Sequence, residues 1–296
     1  MSFKSGFVTI IGRPNVGKST LINNIVGQKL LIMSDKPQTT RNRIQTIFNQ
    51  EDAQVVFLDT PGIHKPKNKL GEHMVKSATD TLNEVDVIVF LVDESTTIGP
   101  GDKYILEMLK NIKTPVILGI NKIDLIEPAD FQKLYNMYNE YGVFHDIMGL
   151  SALNGKNTDV LLDKIVKLLP EGPQYFPEYM ITDQPEKFIV AELVREKLLH
   201  YLHEEVPHGV AVVVEKMRKR EDSEVIDIDI MIFCERESHK AIIIGKGGKK
   251  IKGVGKSARK DIENLLGSKV YMDIWIKVKK NWRDKESLLR NFGYDR

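Results

Sequence analysis

Short runs of consecutive apolar residues alternate with stretches of helical period from residue 6 to about 170. Residues 7–11 (FVTII), 85–93 (VDVIVFLVD) and 115–121 (PVILGIN) are continuous apolar runs of strand length. Such runs mark strands covered on both faces, the habit of a parallel sheet. Residues 43–49 and 53–59 read as two further strands, with a turn over 49–52, and 143–151 as the last. Between them, 19–26, 70–84, 102–111, 130–141 and 158–169 carry helical spacing. Strands separated by ten- to fifteen-residue helices predict a doubly wound α/β sheet, with ligands at the carboxyl ends of the strands.

Prolines 170, 173, 177 and 185 stop this pattern and predict a semi-rigid linker. Beyond it, 186–202 reads as an amphipathic helix, and 210–216 and 225–234 as strands. A helix over 238–244, a glycine turn over 245–248, a helix over 249–266, a strand over 269–278 and a short helix over 284–291 follow. The resulting order is α-β-β-α-α-β. The chain is thus read as a domain over 1–172, a linker over 173–185 and a smaller α+β domain over 186–296.

Charge sharpens this division. The 296 residues carry a net charge of only +2. Residues 1–180 hold 19 Lys and Arg against 21 Asp and Glu, and residues 240–296 hold 16 against 6. The final segment is a basic module on a near-neutral body, which points to a polyanionic partner. No apolar run reaches the ~18 residues of a membrane span. The single cysteine, Cys234, excludes an intramolecular disulfide and lies in an apolar run, as a small core residue would. With no signal-peptide pattern, the expectation is a cytoplasmic monomer, with peripheral contact at the inner membrane left open.

The chemistry is concentrated at strand ends. Residues 12–19, GRPNVGKS, fit the phosphate-loop pattern G-x-x-x-x-G-K-[ST] at every fixed position. Gly12 and Gly17 let the backbone turn its N–H groups onto phosphate oxygens. Lys18 is then the cation for the β- and γ-phosphates, and the Ser19 hydroxyl a Mg²⁺ ligand. Arg13, Pro14, Asn15, Val16 and Thr20 complete the nucleotide-binding stretch. Asp59, Thr60, Pro61 and Gly62 end the third strand, where a carboxylate can hold Mg²⁺ and the Gly62 N–H can meet a γ-phosphate. Asn121, Lys122 and Asp124 end another. The Asp124 carboxylate can accept the N1–H and exocyclic amine of guanine, which adenine does not offer. Ser151, Ala152 and Leu153 end the last strand, where the Ala152 N–H can meet guanine O6. Each motif alone is weak, but all occur in order after a phosphate loop, so GTP and GDP are the expected ligands.

These motifs resemble a translation-factor-class GTPase domain of the group that carries G-x-P-N-V-G-K-S. Residues 38–41 (QTTR) resemble that group's first switch, and the resemblance implies Thr40 as a Mg²⁺ ligand; the spacing itself leaves Thr39 equally open. Ile63 stands where Ras-like proteins place the glutamine that orients the attacking water. The resemblance implies slow turnover, with Lys18, Thr40, Gly62 and Asn15 serving hydrolysis and Asn15 offered to a K⁺ ion. The alternative for Asn15 is a purely local hydrogen bond.

Gly245, Lys246, Gly247 and Gly248 fit the GXXG loop with which KH domains clamp single-stranded RNA. GXXG alone carries little information. Its weight comes from a helix on either side and from residues 246–260, which hold seven Lys or Arg and no acid. Ile244, Lys249, Lys250, Lys252 and Lys280 extend the candidate RNA surface, with Trp282 as a candidate stacking residue. The module resembles a type II KH domain. A GTPase domain joined to one KH domain at this length resembles a family of bacterial GTPases of small ribosomal subunit assembly. That implies binding to the 3′ end of 16S rRNA and to the 30S subunit. The competing readings are a tRNA-modifying GTPase and an RNA adaptor with an inactive nucleotide fold. Against the first stands the lack of a cysteine outside the core, and against the second the intact Lys18, Ser19 and Asp59.

Overall fold

The computed structural model describes residues 2–36, 38–62, 66 and 68–294, so Ile63 lies outside the described residues. The chain divides into two compact units. One holds residues 1–31, 40–66 and 71–183; the other holds 32–39, 67–70 and 184–296.

The first unit is a six-stranded sheet in the order β2-β3-β1-β4-β5-β6. Its strands are β1 (Lys4–Ile11), β2 (Ile44–Gln50), β3 (Ala53–Asp59), β4 (Val87–Val92), β5 (Val116–Ile120) and β6 (Asp146–Gly149). All pairs are parallel except β2 with β3, a hairpin turned through residues 51–52. Helices α1 (Lys18–Val26), α2 (Lys69–Thr81), α3 (Pro100–Leu109), α4 (Pro128–Asn139) and α5 (Thr158–Leu168) connect the strands. Every residue of β3, β4 and β5 is buried, as continuous apolar runs require. Ile88, Phe90, Leu106, Leu118, Leu134 and Tyr138 lie in one of its cores.

The proline-rich segment is not a free spacer. Glu171 bridges Lys4 and Thr182 bridges Thr46. The Ile47 N–H donates to the Ile181 carbonyl at 2.9 Å, and the Gln54 amide binds Tyr175 and Phe176 backbone. Residues 171–182 therefore run along the sheet as irregular chain stitched by hydrogen bonds, which proline rings do not prevent.

The second unit has a three-stranded sheet, β7 (Ala211–Lys219), β8 (Ile226–Cys234) and β9 (Val270–Val278), with β8 central. β7 is antiparallel and β9 parallel to β8. Around it are α6 (Glu186–Tyr201), α7 (Glu237–Ile244), α8 (Lys249–Leu266) and α9 (Glu286–Asn291). The order α-β-β-α-α-β is the expected one, but α6 is not amphipathic. All of Ile189–Glu196 is buried, including Glu192, Arg195 and Glu196. Its charges are satisfied internally: Arg195 Nε donates to Glu192 Oε1 at 2.7 Å, and the Met33 N–H donates to Glu196 Oε1 at 2.9 Å. Cys234 is buried in this unit's core, and burial pushes its thiol pKa up.

Candidate functional site

The phosphate loop is shaped by its glycines. Gly17 sits at φ +103°, and a Cβ there would lie 2.3 Å from Asn121 Nδ2. A Cβ on Gly12 would lie 2.3 Å from the Leu91 carbonyl oxygen. Neither position admits a side chain. Asn15 is exposed, with φ +69°, a left-handed conformation that asparagine tolerates.

Lys18 opens α1 with its ammonium held by the carbonyls of Gly12, at 3.1 Å, and Arg13, at 2.9 Å. Burial lowers its pKa to about 8, opposed by the charge of Asp59. Three oxygen-bearing side chains converge beside it. Thr40 Oγ1 donates to Asp59 Oδ2 at 3.1 Å, and Ser19 Oγ lies 3.3 Å from both. Asp59 is fully buried and its Oδ1 has no hydrogen-bond partner. Burial raises its pKa to about 6, opposed by Lys18 and the two hydroxyls. Hard oxygen donors around an unsatisfied buried carboxylate oxygen fit Mg²⁺. Thr39 does not join them; its hydroxyl donates to the Lys36 carbonyl at 2.6 Å. The two threonines that spacing left open are thus separated by where their side chains point. A Cβ on Gly62 would meet Pro14 and Lys18 Nζ at 3.3–3.4 Å, which puts the Asp59–Gly62 turn against the loop.

The base motifs converge on the same loop. Asn121 Nδ2 donates to the Val16 carbonyl at 2.7 Å, and its Oδ1 accepts the Ala152 N–H at 2.8 Å. Ser151 is buried, whereas Asp124 and Leu153 are exposed. Lys122, in the left-handed region at φ +61°, brings its ammonium 2.9 Å from Glu94.

Gly245, at φ +71°, ends α7, and a Cβ there would lie 2.7 Å from Lys250 Cβ. Gly247 and Gly248 are also left-handed, so α7 and α8 meet at a sharp turn only glycines make easily. Lys246, Lys249, Lys252 and Lys280 are exposed, and Ile244 and Lys250 half-buried. Of the three consecutive isoleucines, Ile243 is fully buried and Ile242 is 43% exposed.

Trp282 corrects the sequence expectation. It is fully buried, its Nε1–H donates to the Gly209 carbonyl at 2.9 Å, and Phe292 and Tyr294 pack on it. It has no ring face to offer a base. Exposed aromatics of the second unit include Tyr271 and Trp275 on β9, the latter 64% exposed. The period-two alternation of residues 270–278 carries their signal, because it sets both rings on the open face of the strand.

Two family models match, one described as a 50S ribosome-binding GTPase over residues 7–122 and one as a KH domain over residues 205–283. The GTPase Era of Alkaliphilus oremlandii is 62% identical over 295 residues, covering 100% of both chains. That of Clostridioides difficile is 60% identical, covering 99% of each. This chain belongs to the Era family of GTPases. A crystal structure of Era in complex with MgGDPNP and nucleotides 1506–1542 of 16S ribosomal RNA is 42% identical, covers 99% of each chain and superposes with a TM-score of 0.94. An Aquifex aeolicus Era variant bound to GDP.AlF4⁻ gives 42% and 0.93. The chain is a GTPase with a P-loop domain and a KH domain, an Era fold throughout. Among the described residues no helix is long and apolar enough to cross a membrane.

Proposed function

We propose that this chain is a GTP-driven switch that binds the 3′ end of small-subunit ribosomal RNA and serves assembly of the 30S subunit. The observation that carries the reading is the pairing of two sites on one chain: the Ser19, Thr40 and Asp59 cluster beside Lys18, and the glycine turn Gly245–Gly248 opening a basic helix. The RNA target rests on the related Era structure that contains nucleotides 1506–1542 of 16S rRNA. The glycine turn favours RNA over an anionic membrane surface, since a membrane needs charge but no backbone clamp.

Ser19, Thr40 and Asp59 are assigned to Mg²⁺, which when bound neutralises charge on the β- and γ-phosphate oxygens. Lys18 exchanges its two backbone carbonyls for phosphate oxygens. The Gly62 N–H meets the γ-phosphate, and Asp124 reads the guanine edge. Asn15, exposed on the loop, is assigned to a K⁺ ion that substitutes electrostatically for the side chain position 63 lacks.

Hydrolysis of GTP and binding of a 16S 3′-terminal oligonucleotide, measured on the same preparation, test the reading. GTP turnover without RNA binding would leave a GTPase whose basic face has another partner. Equal turnover in K⁺ and Na⁺ would remove the ion from Asn15.

A further inference from the structure

Arg13 stands inside the phosphate loop yet turns away from Lys18. Its Nη2 donates to Asp93 Oδ1 at 2.8 Å and its Nε to Asp102 Oδ1 at 2.8 Å. Asp102, the third residue of α3, is fully buried, and Asp93 follows β4 with its side chain 14% exposed. Asp93 is itself fixed, accepting the Ser95 hydroxyl at 2.6 Å and the Ser95 N–H at 3.2 Å. The stem of Arg13 lies flat on α3, because a Cβ on Gly101 would come within 2.9 Å of Arg13 Cδ. The next residue, Glu94, pairs at 2.9 Å with Lys122 of the base motif. Neighbouring carboxylates thus hold opposite ends of the nucleotide site.

We propose that Asp93 and Glu94 form a positioning bridge, holding the phosphate loop through Arg13 and the guanine loop through Lys122 at one fixed spacing. Two buried or half-buried carboxylates facing one guanidinium are an arrangement only a planar fork satisfies. The bridge supplements the Asn121 link to Val16 from the other side of the loop. Its consequence is that phosphate and base are bound together: the loop arrives pre-spaced and no ordering is left for the nucleotide to drive. Arg13 is therefore a positioning residue, acting on the nucleotide only through the loop it anchors.

The inference rests on the guanine-nucleotide site described above. The test is steady-state GTP hydrolysis, per active site, and GDP affinity on full-length variants. Arg13→Met should raise KM and weaken GDP binding roughly tenfold, the scale of one charge-assisted hydrogen bond at the low end of its range, with kcat changed less than twofold. Arg13→Lys, which can satisfy one carboxylate, should fall between. Gly101→Ala replaces glycine by a better helix former, yet its methyl displaces the Arg13 stem. It should raise KM, with kcat changed less than twofold, at a temperature where circular dichroism shows the variant fully folded, a split that a folding defect does not produce. Arg13→Met combined with Glu94→Gln should weaken GDP binding by less than the product of the single effects, since the bridge is already broken. A drop in kcat at unchanged KM, or single effects that multiply, would overturn the bridge. If Asp124→Asn still abolishes guanine preference in that event, the nucleotide site stands and only the bridge falls.

Discussion

Asn121 and Ala152 are joined by a 2.8 Å hydrogen bond from the Ala152 N–H to Asn121 Oδ1, while Asn121 Nδ2 donates to the Val16 carbonyl. Both bonds are buried, so losing the amide strands a donor and an acceptor at ~1–3 kcal/mol each. Asn121→Ala should weaken GDP binding by about 30-fold or more, whereas hydrogen bonding through water at a surface site would not change it. Nucleotide titration by fluorescence measures this directly.

Asp124 lies one turn beyond and is exposed; in the proposed reading it accepts from guanine. Hydrogen bonds to a charged group contribute ~1.5–3 kcal/mol each. Asp124→Asn should therefore cost GTP several kcal/mol of affinity and turn preference toward xanthosine triphosphate. Equal GTP affinity in both proteins would take Asp124 out of the base site.

The magnesium assignment separates neighbouring threonines. Thr40→Ala removes a hydroxyl that touches Asp59, so the Mg²⁺ concentration needed for half-maximal hydrolysis should rise by about tenfold, roughly one charge-assisted bond. Thr39→Ala removes a hydroxyl bonded to the Lys36 carbonyl and should shift that value less than threefold. A reversed order would move the metal ligand to Thr39.

In the KH unit, Lys246→Asp with Gly247→Asp should abolish tight RNA binding and leave GTP binding intact, since two carboxylates would face the phosphates. Trp282→Phe should lower stability by about 1–3 kcal/mol through its lost bond to Gly209. Once folded, that variant should bind RNA as the parent does, at one fixed salt concentration. A selective loss of RNA affinity would show that Trp282 reaches the ligand.

What the chain disclosed beforehand follows from the range of the forces involved. The strand over 53–59 and the helix over 249–266 were legible because apolar patterning and glycine turns are local signals. The P-loop GTPase domain was legible because phosphate-binding chemistry demands fixed residue types at strand ends. The pairing of Arg13 with Asp93 and Asp102 was not, since a salt bridge between residues so distant in sequence leaves no periodic trace. Trp282 misled for the opposite reason. A tryptophan among lysines reads as a stacking surface, and only the fold shows that Gly209, Phe292 and Tyr294 enclose it. In α6 the expected polar face turned out buried because its acids and Arg195 satisfy one another and nearby backbone.

Nucleotide state and RNA affinity should be coupled. Residues 32–39 belong to the same compact unit as the KH elements, whereas Thr40 belongs to the P-loop unit. Within the former, Arg195 of α6 is fully buried and its Nη2 donates to the Thr39 carbonyl. Within the latter, Thr40 Oγ1 is bonded to Asp59. One peptide bond thus connects a backbone carbonyl held by Arg195 to the hydroxyl assigned to Mg²⁺, so ordering either residue restricts the other. A ligand shifts such an equilibrium only by its differential affinity for the two states, and the effect is reciprocal. RNA should bind more tightly with a non-hydrolysable GTP analogue than with GDP, by ~5–150-fold for a typical coupling of ~1–3 kcal/mol. The analogue should bind more tightly with RNA present by the same factor. Arg195→Met should shrink that factor toward one while each ligand alone still binds. Titrating one RNA oligonucleotide at fixed salt into both nucleotide states measures it. Affinities within twofold in the parent protein would mean two independent modules on one chain, and a factor undiminished in Arg195→Met would mean that the coupling runs elsewhere.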